Sequence, residues 1–155
     1  MQMNGEQILP TTQEQAWHAL NDPAILKACI PGCETIERLS DSEFNILMIA
    51  AVGPVKAKFK GKLALANINP PTSYDLSFEG QGGVAGFAKG GANVTLASDG
   101  AATRLIYVVH ASVGGKLAQV GSRLVDAAAR KLADVFFTRF REKFAPASGD
   151  GEPSI

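Results

Sequence analysis

Over most of the first 113 residues, apolar and polar side chains alternate with a period of two, which is typical of half-buried β-strands. The alternation is clearest where Val55, Phe59 and Leu63 share one side of a segment and four lysines occupy the other side. Turn residues such as Gly53-Pro54 and Asp99-Gly100 separate the alternating segments. The predicted strands cover residues 3–9, 34–39, 44–52, 55–65, 74–79, 93–98 and 105–113.

Two short helices are predicted between the first and second strands. Thr11 and Thr12 are candidate N-caps for a helix over residues 13–21, and Asp22-Pro23 begins a second helix that runs through residue 28. After Gly114-Gly115 the apolar spacing becomes three or four residues, which predicts one long helix over residues 116–143. Its apolar positions are Leu117, Val120, Leu124, Ala128, Leu132, Val135, Phe136, Phe140 and Phe144.

The predicted order of elements is one strand, two short helices, six strands and one long helix. Short turns between the strands imply a mostly antiparallel meander, and the C-terminal helix is large enough to cover its apolar face. We therefore expect an α+β fold in a single domain over residues 1–145. The polar tail, residues 146–155, is expected to be disordered.

A glycine-rich run over residues 80–94 lies between two predicted strands. Because small residues at the centre of the inner face oppose small residues in the middle of the helix, we expect an apolar space of the usual ligand-binding size, ~300–1,000 Å³. The alternative is a tightly curved sheet whose glycines relieve the bending. The small residues are Gly61, Gly80, Gly82, Gly90 and Ala92 in the strands and Gly121, Ala127, Ala128 and Ala129 in the helix.

The residues predicted to line this space are apolar or aromatic, with two tyrosines as polar groups. A buried phenol needs a hydrogen-bond partner, which a ligand carbonyl or the backbone can supply. Phe87, at the bend of the glycine-rich run, is the candidate gate. The predicted lining residues are Met48, Phe59, Leu63, Tyr74, Leu76, Phe78, Gly82, Phe87, Tyr107, Leu124, Ala128 and Leu132.

Composition and motif spacing narrow the function classes. The formal net charge of zero gives no electrostatic support for nucleic-acid binding. No segment resembles a signal peptide or a membrane span, so the cytoplasm is the expected compartment. No intrinsic cofactor or metal is expected, because Cys29 and Cys33 have neither redox nor zinc spacing. His18 and His110 have no partners that suggest a catalytic triad.

Two basic surfaces are candidates for docking. The lysines at positions 56, 58, 60 and 62 share the outer face of one strand, where Asp75 and Glu79 are expected to neutralise part of their charge. The predicted long helix carries seven basic and three acidic residues, with Asp126 among the acidic ones. Its basic face can contact a membrane surface while its apolar stripe packs against the sheet.

A third surface is apolar and is divided between two predicted strands. Its residues should point outward, and whether they form one interface depends on the strand order. The oligomeric state stays open for the same reason. These residues are Leu47, Ile49, Ile106 and Val108.

Six short motifs, in the order in which they occur, resemble the CoxG family of carbon monoxide dehydrogenase subunits over roughly residues 1–144. They are Met3-Asn4-Gly5, Leu20-Asn21-Asp22-Pro23, Ala28-Cys29-Ile30-Pro31-Gly32-Cys33, Val52-Gly53-Pro54-Val55, the run from Gly82 to Ala92, and Gly114-Gly115-Lys116-Leu117-Ala118-Gln119. The family belongs to the helix-grip (SRPBCC) superfamily with START domains, birch-pollen allergens and polyketide cyclases. The resemblance implies a curved seven-stranded antiparallel sheet that wraps around the long C-terminal helix, with an apolar cavity between them.

The resemblance also implies a partner and a ligand, namely a molybdenum hydroxylase and an isoprenoid quinone or lipid-like molecule. The first hypothesis is a non-enzymatic protein that holds this ligand and serves the hydroxylase in electron transfer or in recruitment to the inner face of the membrane. The second is an assembly, maturation or recruitment factor without a ligand. The third is a cyclase-like enzyme of the same superfamily, which ranks last because the inferred inner face offers only tyrosines as titratable groups.

Overall fold

The computed structural model describes residues 1–144, in which seven strands form one antiparallel sheet and four helices accompany it. The strands are β1 (Gln2–Leu9), β2 (Cys33–Ser40), β3 (Glu43–Val52), β4 (Val55–Asn69), β5 (Ser73–Gln81), β6 (Phe87–Asp99) and β7 (Ala102–Gly114). The helices are α1 (Gln13–Leu20), α2 (Pro23–Cys29), α3 (Lys116–Gln119) and α4 (Ser122–Glu142). This order confirms the predicted α+β fold. The predicted disordered tail, residues 146–155, lies outside the described residues.

The two short helices begin at the predicted caps. The Thr12 hydroxyl accepts a hydrogen bond from the backbone N–H of Gln15 at 3.2 Å, and the Asp22 carboxylate accepts one from that of Ala24 at 2.9 Å. These bonds satisfy N–H groups that have no partner within the helix. Pro23 at the start of α2 costs no hydrogen bond for the same reason.

The strand order is β1-β7-β6-β5-β4-β3-β2, and the register assigns one set of alternating residues to the face that meets α4. In cross-strand order, one row of this inner face is Leu63, Phe78, Gly90 and Ala111, and a neighbouring row is Leu65, Leu76, Ala92, Val109 and Met3. The opposite, outer face carries the four lysines of β4. The inner and outer assignments made from the alternating pattern are therefore confirmed.

The glycine-rich run is divided between strands and a turn. β5 extends to Gln81 and β6 begins at Phe87, so Gly80, Gly90 and Ala92 lie within the sheet. The segment Gly83–Ala85 forms one turn of 3₁₀-helix between the strands. Only the two ends of the run, residues 80–81 and 87–94, therefore belong to the sheet.

The prediction of one uninterrupted C-terminal helix is wrong, because the helix is interrupted at Gly121. Gly121 has a φ of 97°, a conformation that favours glycine and ends the short helix α3. The long helix α4 begins afresh at Ser122. The predicted apolar stripe is confirmed at the C-terminal end of α4, where Phe140 is buried and Phe136 and Phe144 pack against the core, but Leu124 and Leu132 are exposed.

The apolar core is divided into two clusters at opposite ends of the sheet. The large cluster lies at the end that α1 covers, and the small cluster lies at the end where α3 and the β3–β4 and β5–β6 turns meet. We call these the α1 end and the α3 end. The large cluster includes Leu9, Trp17, Tyr74, Leu105 and Phe140, and the small cluster consists of Phe59, Ala85 and Leu117 with partly buried neighbours.

Candidate ligand-binding site

A zone of the inner face lies between the two clusters and belongs to neither. We call it the middle zone, and its residues are Gly61, Leu63, Phe78, Gly80, Gly90, Ala92, Val109 and Ala111. Its large residues, Leu63, Phe78 and Val109, are only half-buried although they point toward α4. The backbone of α4 makes its closest approaches to the sheet at β3 and β1, near opposite edges. The large side chains of the middle zone are therefore incompletely covered by protein atoms.

The helix surface above the middle zone is also small. Ala133, Phe137 and Phe140 are buried and have the spacing of one helical face. Toward the α3 end, the same side of α4 continues with Ala129 and then Asp126. The small residues on this side of α4 are therefore Ala129 and Ala133, and not the predicted Ala127 and Ala128.

Seven of the predicted lining residues lie on the inner face of the sheet. Leu63 and Phe78 belong to the middle zone, and the remaining five lie at its two ends. Met48 and Phe59 are at the α3 end, where they pack in the small cluster. Tyr74, Leu76 and Tyr107 are at the α1 end, in or against the large cluster. These seven residues would contact a ligand that spans the space from end to end.

Gly82 gives room to an aromatic ring rather than to a ligand. A Cβ atom added to Gly82 would lie 2.5 Å from the Phe59 ring, so the ring already covers this position. Gly5 is covered in the same way by the Tyr107 ring, at 2.5 Å from its hydroxyl oxygen. Aromatic side chains that cover glycines of neighbouring strands stabilise a curved sheet. The alternative interpretation of the glycines, as positions that permit curvature, is therefore correct for Gly82.

Phe87 lies on the outer face, where its ring covers Gly114 of the neighbouring strand. It shares this face with Lys89 and cannot line the space between the sheet and α4. The sequence places Phe87 at the bend of the glycine-rich run, but the 3₁₀ turn ends two residues earlier, at Ala85, and Phe87 already follows the alternation of β6.

The helix residues predicted to line the space are displaced from it. Leu124 and Leu132 are 43% and 41% exposed, and neither lies on the side of Ala133 and Phe137. Ala128 lies between them in the helical wheel and is half-buried. The physical reason lies within α4, where residues four apart are offset by about 40° around the helix axis. A stripe that runs from Leu124 through Ala128 and Leu132 therefore drifts away from the buried face. Leu124 instead approaches the β3–β4 turn, where a Cβ atom added to Gly53 would lie 3.0 Å from its Cδ1.

Both tyrosines are in aromatic contacts at the α1 end. Tyr74 meets Trp17 edge-to-face, with ring centroids 5.4 Å apart, and Tyr107 stacks on Phe137 at 5.3 Å. Burial raises the pKa of Tyr74 far above its ordinary value. Burial also raises the pKa of Tyr107, Asp134 raises it further, and Arg130 lowers it. Both side chains are therefore neutral phenols at physiological pH, able to donate and to accept hydrogen bonds.

The polar group that the sequence interpretation missed is Asp126. Its Oδ1 atom is buried and has no hydrogen-bond partner within residues 1–144. The sequence contains a signal, because Asp126 precedes Ala133 by seven residues and Phe137 by eleven. This signal can be recognised once Ala133 and Phe137 are known to be the buried side of α4, because seven and eleven residues are close to whole numbers of helical turns.

The outer face carries a groove of about 670 Å³ across the four central strands β4, β5, β6 and β7. Two neighbouring outer rows form most of its lining, one with alternating charges and one with mainly small side chains, and Phe78, Gly90 and Ala111 complete it. The rows are Lys62, Glu79, Lys89 and Ser112, and Ala64, Ser77, Gly91 and His110. No pattern along a single strand indicates this groove, since its residues meet only through the register.

The expected neutralisation of the β4 lysines by Asp75 is wrong. Asn93 and Asn67 donate hydrogen bonds to the two oxygens of Asp75, at 2.8 and 2.6 Å, and these bonds lower its pKa. Within residues 1–144, the β4 lysine that forms an ion pair within 4 Å is Lys58, with Glu34 at 3.3 Å. Glu79 lies opposite Lys62 without such a pair. Within residues 1–144, Lys56, Lys60 and Lys62 therefore have no carboxylate partner within 4 Å.

The outward apolar residues form two patches rather than one. Leu47 and Ile49 lie on β3, and Ile106 and Val108 lie on β7, with three strands between them. The two pairs therefore cannot form one continuous interface on a single molecule.

The family model of the carbon monoxide dehydrogenase protein CoxG matches residues 5–145. The chain belongs to the CoxG family. The match begins within β1 and includes the other six strands and α4, so the family assignment covers both sides of the middle zone. A search of curated proteins finds no match to this CoxG chain.

Solved structures share the CoxG fold at several levels of identity. A conserved protein from Geobacillus kaustophilus is 31% identical, with a TM-score of 0.88 and coverage of 95% of this chain and 97% of that one. A START superfamily protein from Mycobacterium smegmatis is 11% identical, with a TM-score of 0.70 and coverage of 92% and 96%. The Zhui aromatase/cyclase from Streptomyces sp. R1128 is 8% identical, with a TM-score of 0.70 and coverage of 96% and 95%. The last two comparisons show the helix-grip fold alone.

Two other kinds of site are absent from residues 1–144. None of their helices is long and apolar enough to cross a membrane. In the same part of the chain, no three His, Cys, Asp or Glu side chains are grouped as a metal site would require.

Proposed function

We propose that this CoxG protein is a non-enzymatic accessory protein that holds an apolar ligand, a quinone or a lipid-like molecule, between its sheet and α4. The observation that carries the proposal is the middle zone, where half-buried apolar side chains face small helix residues between two packed clusters. Binding sites for small molecules are mostly apolar and concave, with few polar groups. Here the polar groups are two neutral phenols and one carboxyl group.

The partner in this proposal is a molybdenum hydroxylase of the carbon monoxide dehydrogenase type. The family name supports the association with carbon monoxide dehydrogenase. Catalysis would belong to the partner, and the CoxG protein would supply a compartment that shields an apolar molecule from water between a membrane and a water-soluble enzyme. Shielding is favourable because each apolar Å² removed from water contributes about 25 cal/mol.

A titration with decylubiquinone tests the binding proposal. Trp17 is the sole tryptophan, and it packs on Tyr74 at the α1 end of the space. We expect saturable quenching of its fluorescence, because a quinone in the middle zone absorbs or accepts energy from the nearby indole. A linear decrease without saturation, equal to that of free tryptophan, would contradict the proposal.

We further propose that the α3 end contacts the membrane when ligand is exchanged. Val84, at the tip of the β5–β6 turn, is 85% exposed, and Lys56 and Lys116 are exposed at the same end. An apolar tip with flanking lysines suits an anionic bilayer, since the tip can enter the interface and the lysines can meet lipid phosphates. The cytoplasm, at the inner face of the membrane, is the compartment that this proposal requires.

The substitution Val84→Glu should weaken binding to vesicles that contain phosphatidylglycerol by roughly tenfold, because it replaces an inserting side chain by a repelled one. Leu39→Glu is the matched control, since Leu39 is 47% exposed on β2, near the opposite end of the sheet. Co-sedimentation with vesicles measures both. Equal losses for the two variants would show that the α3 end has no special role.

A second candidate function is recruitment or assembly of the hydroxylase without a ligand. The outer groove supports it, because Lys62, Glu79 and Lys89 present alternating charges across neighbouring strands. Such a pattern can orient a protein partner of complementary charge. The two functions use opposite faces of the sheet and are compatible in one molecule.

A further inference from the structure

The carboxyl group of Asp126 is the polar group of α4 that has a buried oxygen without a hydrogen-bond partner. Its Oδ1 atom is shielded from solvent, and within residues 1–144 no protein group donates a hydrogen bond to it. A buried polar atom without a partner destabilises a folded protein by about 1–3 kcal/mol. A position that keeps such a group has either a hidden partner or a functional reason.

The helical phase of Asp126 directs it toward the sheet. It is separated from Ala133, Phe137 and Phe140 by seven, eleven and fourteen residues, and all three of those residues are buried. At 1.5 Å per residue, Asp126 lies about 16 Å from Phe137 along the helix axis, on the same side. Ala129 and Ala133 are the residues of that side between them. Asp126 therefore lies at the α3 end of the small-residue stretch that covers the middle zone.

Intramolecular ion pairs do not account for this carboxyl group. Arg123 and Arg130 lie within about one helical turn of it, on α4 itself. The ion pairs within 4 Å in residues 1–144 are Lys58 with Glu34, and Arg104 with Glu6 and with Asp99. Asp126 takes part in none of them. Its Oδ1 atom is thus an acceptor that the protein's own groups leave open.

We infer that Asp126 binds the head group of the ligand by accepting a hydrogen bond from a ligand hydroxyl. This inference rests on the proposed function. A carboxylate has acceptor sites only, so it pairs with a hydroxyl and is repelled by the carbonyl oxygen of a quinone. A quinone carries two carbonyl groups, whereas the corresponding hydroquinone carries two hydroxyls. The site therefore prefers the hydroquinone, the reduced form, over the quinone.

The position of Asp126 also determines the orientation of the ligand. The head group lies near the α3 end, where Asp126 is, and the apolar remainder extends over Ala129 and Ala133 toward Phe137 and Tyr107. The membrane contact proposed at Val84 is at the head-group end. The ligand hydroxyl would then be the part of the molecule nearest to the proposed membrane contact.

Anaerobic calorimetric titrations with decylubiquinol and decylubiquinone test the preference. Wild type should bind the quinol at least tenfold more tightly, because a hydrogen bond to a charged group has about this strength. Asp126→Asn should reverse or abolish the preference, since the amide N–H₂ donates to a carbonyl. Asp126→Leu should bind both forms with similar affinity. Asp134→Asn is the matched control, because Asp134 is exposed on the same helix, and it should keep the wild-type preference.

The thermal unfolding of the ligand-free protein is a second test. If Asp126 had a structural role, its substitution would change Tm in the opposite direction. If Asp126 is an open acceptor, Asp126→Leu should raise Tm, because it removes an unsatisfied buried group and adds apolar contact. A lower Tm for this variant would reveal a structural partner and overturn the inference.

The binding results separate this inference from the proposed function. Equal binding of both forms by wild type, or an unchanged preference in Asp126→Leu, overturns the role of Asp126 while the ligand-binding function stands. Binding of neither form by wild type overturns the quinone-carrier function itself, and the head-group assignment with it. A preference for decylubiquinone in wild type overturns the hydrogen-bond direction that we infer.

Discussion

The substitution Ala129→Phe is expected to abolish binding of decylubiquinone and to leave the fold intact. Ala129 is half-buried on the side of α4 that faces the middle zone, between Asp126 and Ala133. A phenyl ring there would occupy the volume that we assign to the ligand, so the affinity should fall by roughly 100-fold or more, as for loss of a hot-spot contact. Because the ring buries apolar surface in an unfilled space, Tm should stay constant or rise.

The matched control for this substitution is Ala127→Phe, two residues earlier on the exposed side of α4. Both variants carry the same loss of helix propensity, about 0.5 kcal/mol, so the difference between them reports on the space alone. If the space is already filled by protein atoms, Ala129→Phe will overpack it and lower stability by about 1–3 kcal/mol relative to the control. That result, with unchanged ligand affinity, would contradict the assignment.

The substitution Gly90→Ala is expected to be the most destabilising single methyl addition in the sheet. A Cβ atom at Gly90 would collide with the backbone carbonyl of His110 and lie 2.8 Å from Cα of Ala111. Backbone atoms of a paired strand cannot rotate away as a side chain can. We expect a loss of about 3 kcal/mol, which lowers Tm by roughly 10 °C in a domain of this size.

Gly80→Ala is the matched control for Gly90→Ala. Gly80 lies on the same face of the neighbouring strand, where the nearest atoms to an added Cβ are Lys60 O at 3.8 Å and Phe59 Cβ at 3.9 Å. These are ordinary contacts, so stability should change by less than about 1 kcal/mol. Equal effects in denaturant unfolding of the two variants would show that the close approach of β6 and β7 at Gly90 is not required by the fold.

The faces of the sheet could be predicted from the sequence because a strand has a period of two. Once residues 55–65 are recognised as a strand, Phe59, Leu63 and Leu65 must share a face, and the register across the sheet follows from turns of few residues. The order of elements follows similarly from caps such as Thr12 and Asp22. These features depend on neighbours in the sequence, which a single chain displays fully.

Which residues line the site depends on residues that are distant from one another in sequence. The predicted stripe of α4 takes residues four apart, and each such step turns about 40° around the helix axis. Leu124 and Leu132 therefore lie away from the side of Ala133 and Phe137, which is the side that Asp126 shares. The coverage of Gly82 by the Phe59 ring similarly depends on which residues meet across neighbouring strands. A glycine in the sequence cannot by itself indicate whether a ring, a backbone or a ligand occupies the place of its side chain.

The most direct test of the central claim is to identify what the protein carries when it is purified from its native host. Organic extraction followed by mass spectrometry should recover a quinone or lipid in near-stoichiometric amount from wild type, and none from Ala129→Phe. A clean extract with a co-purified hydroxylase would favour the recruitment function instead. Equal recovery of the same molecule from wild type and Ala129→Phe would contradict binding between the sheet and α4.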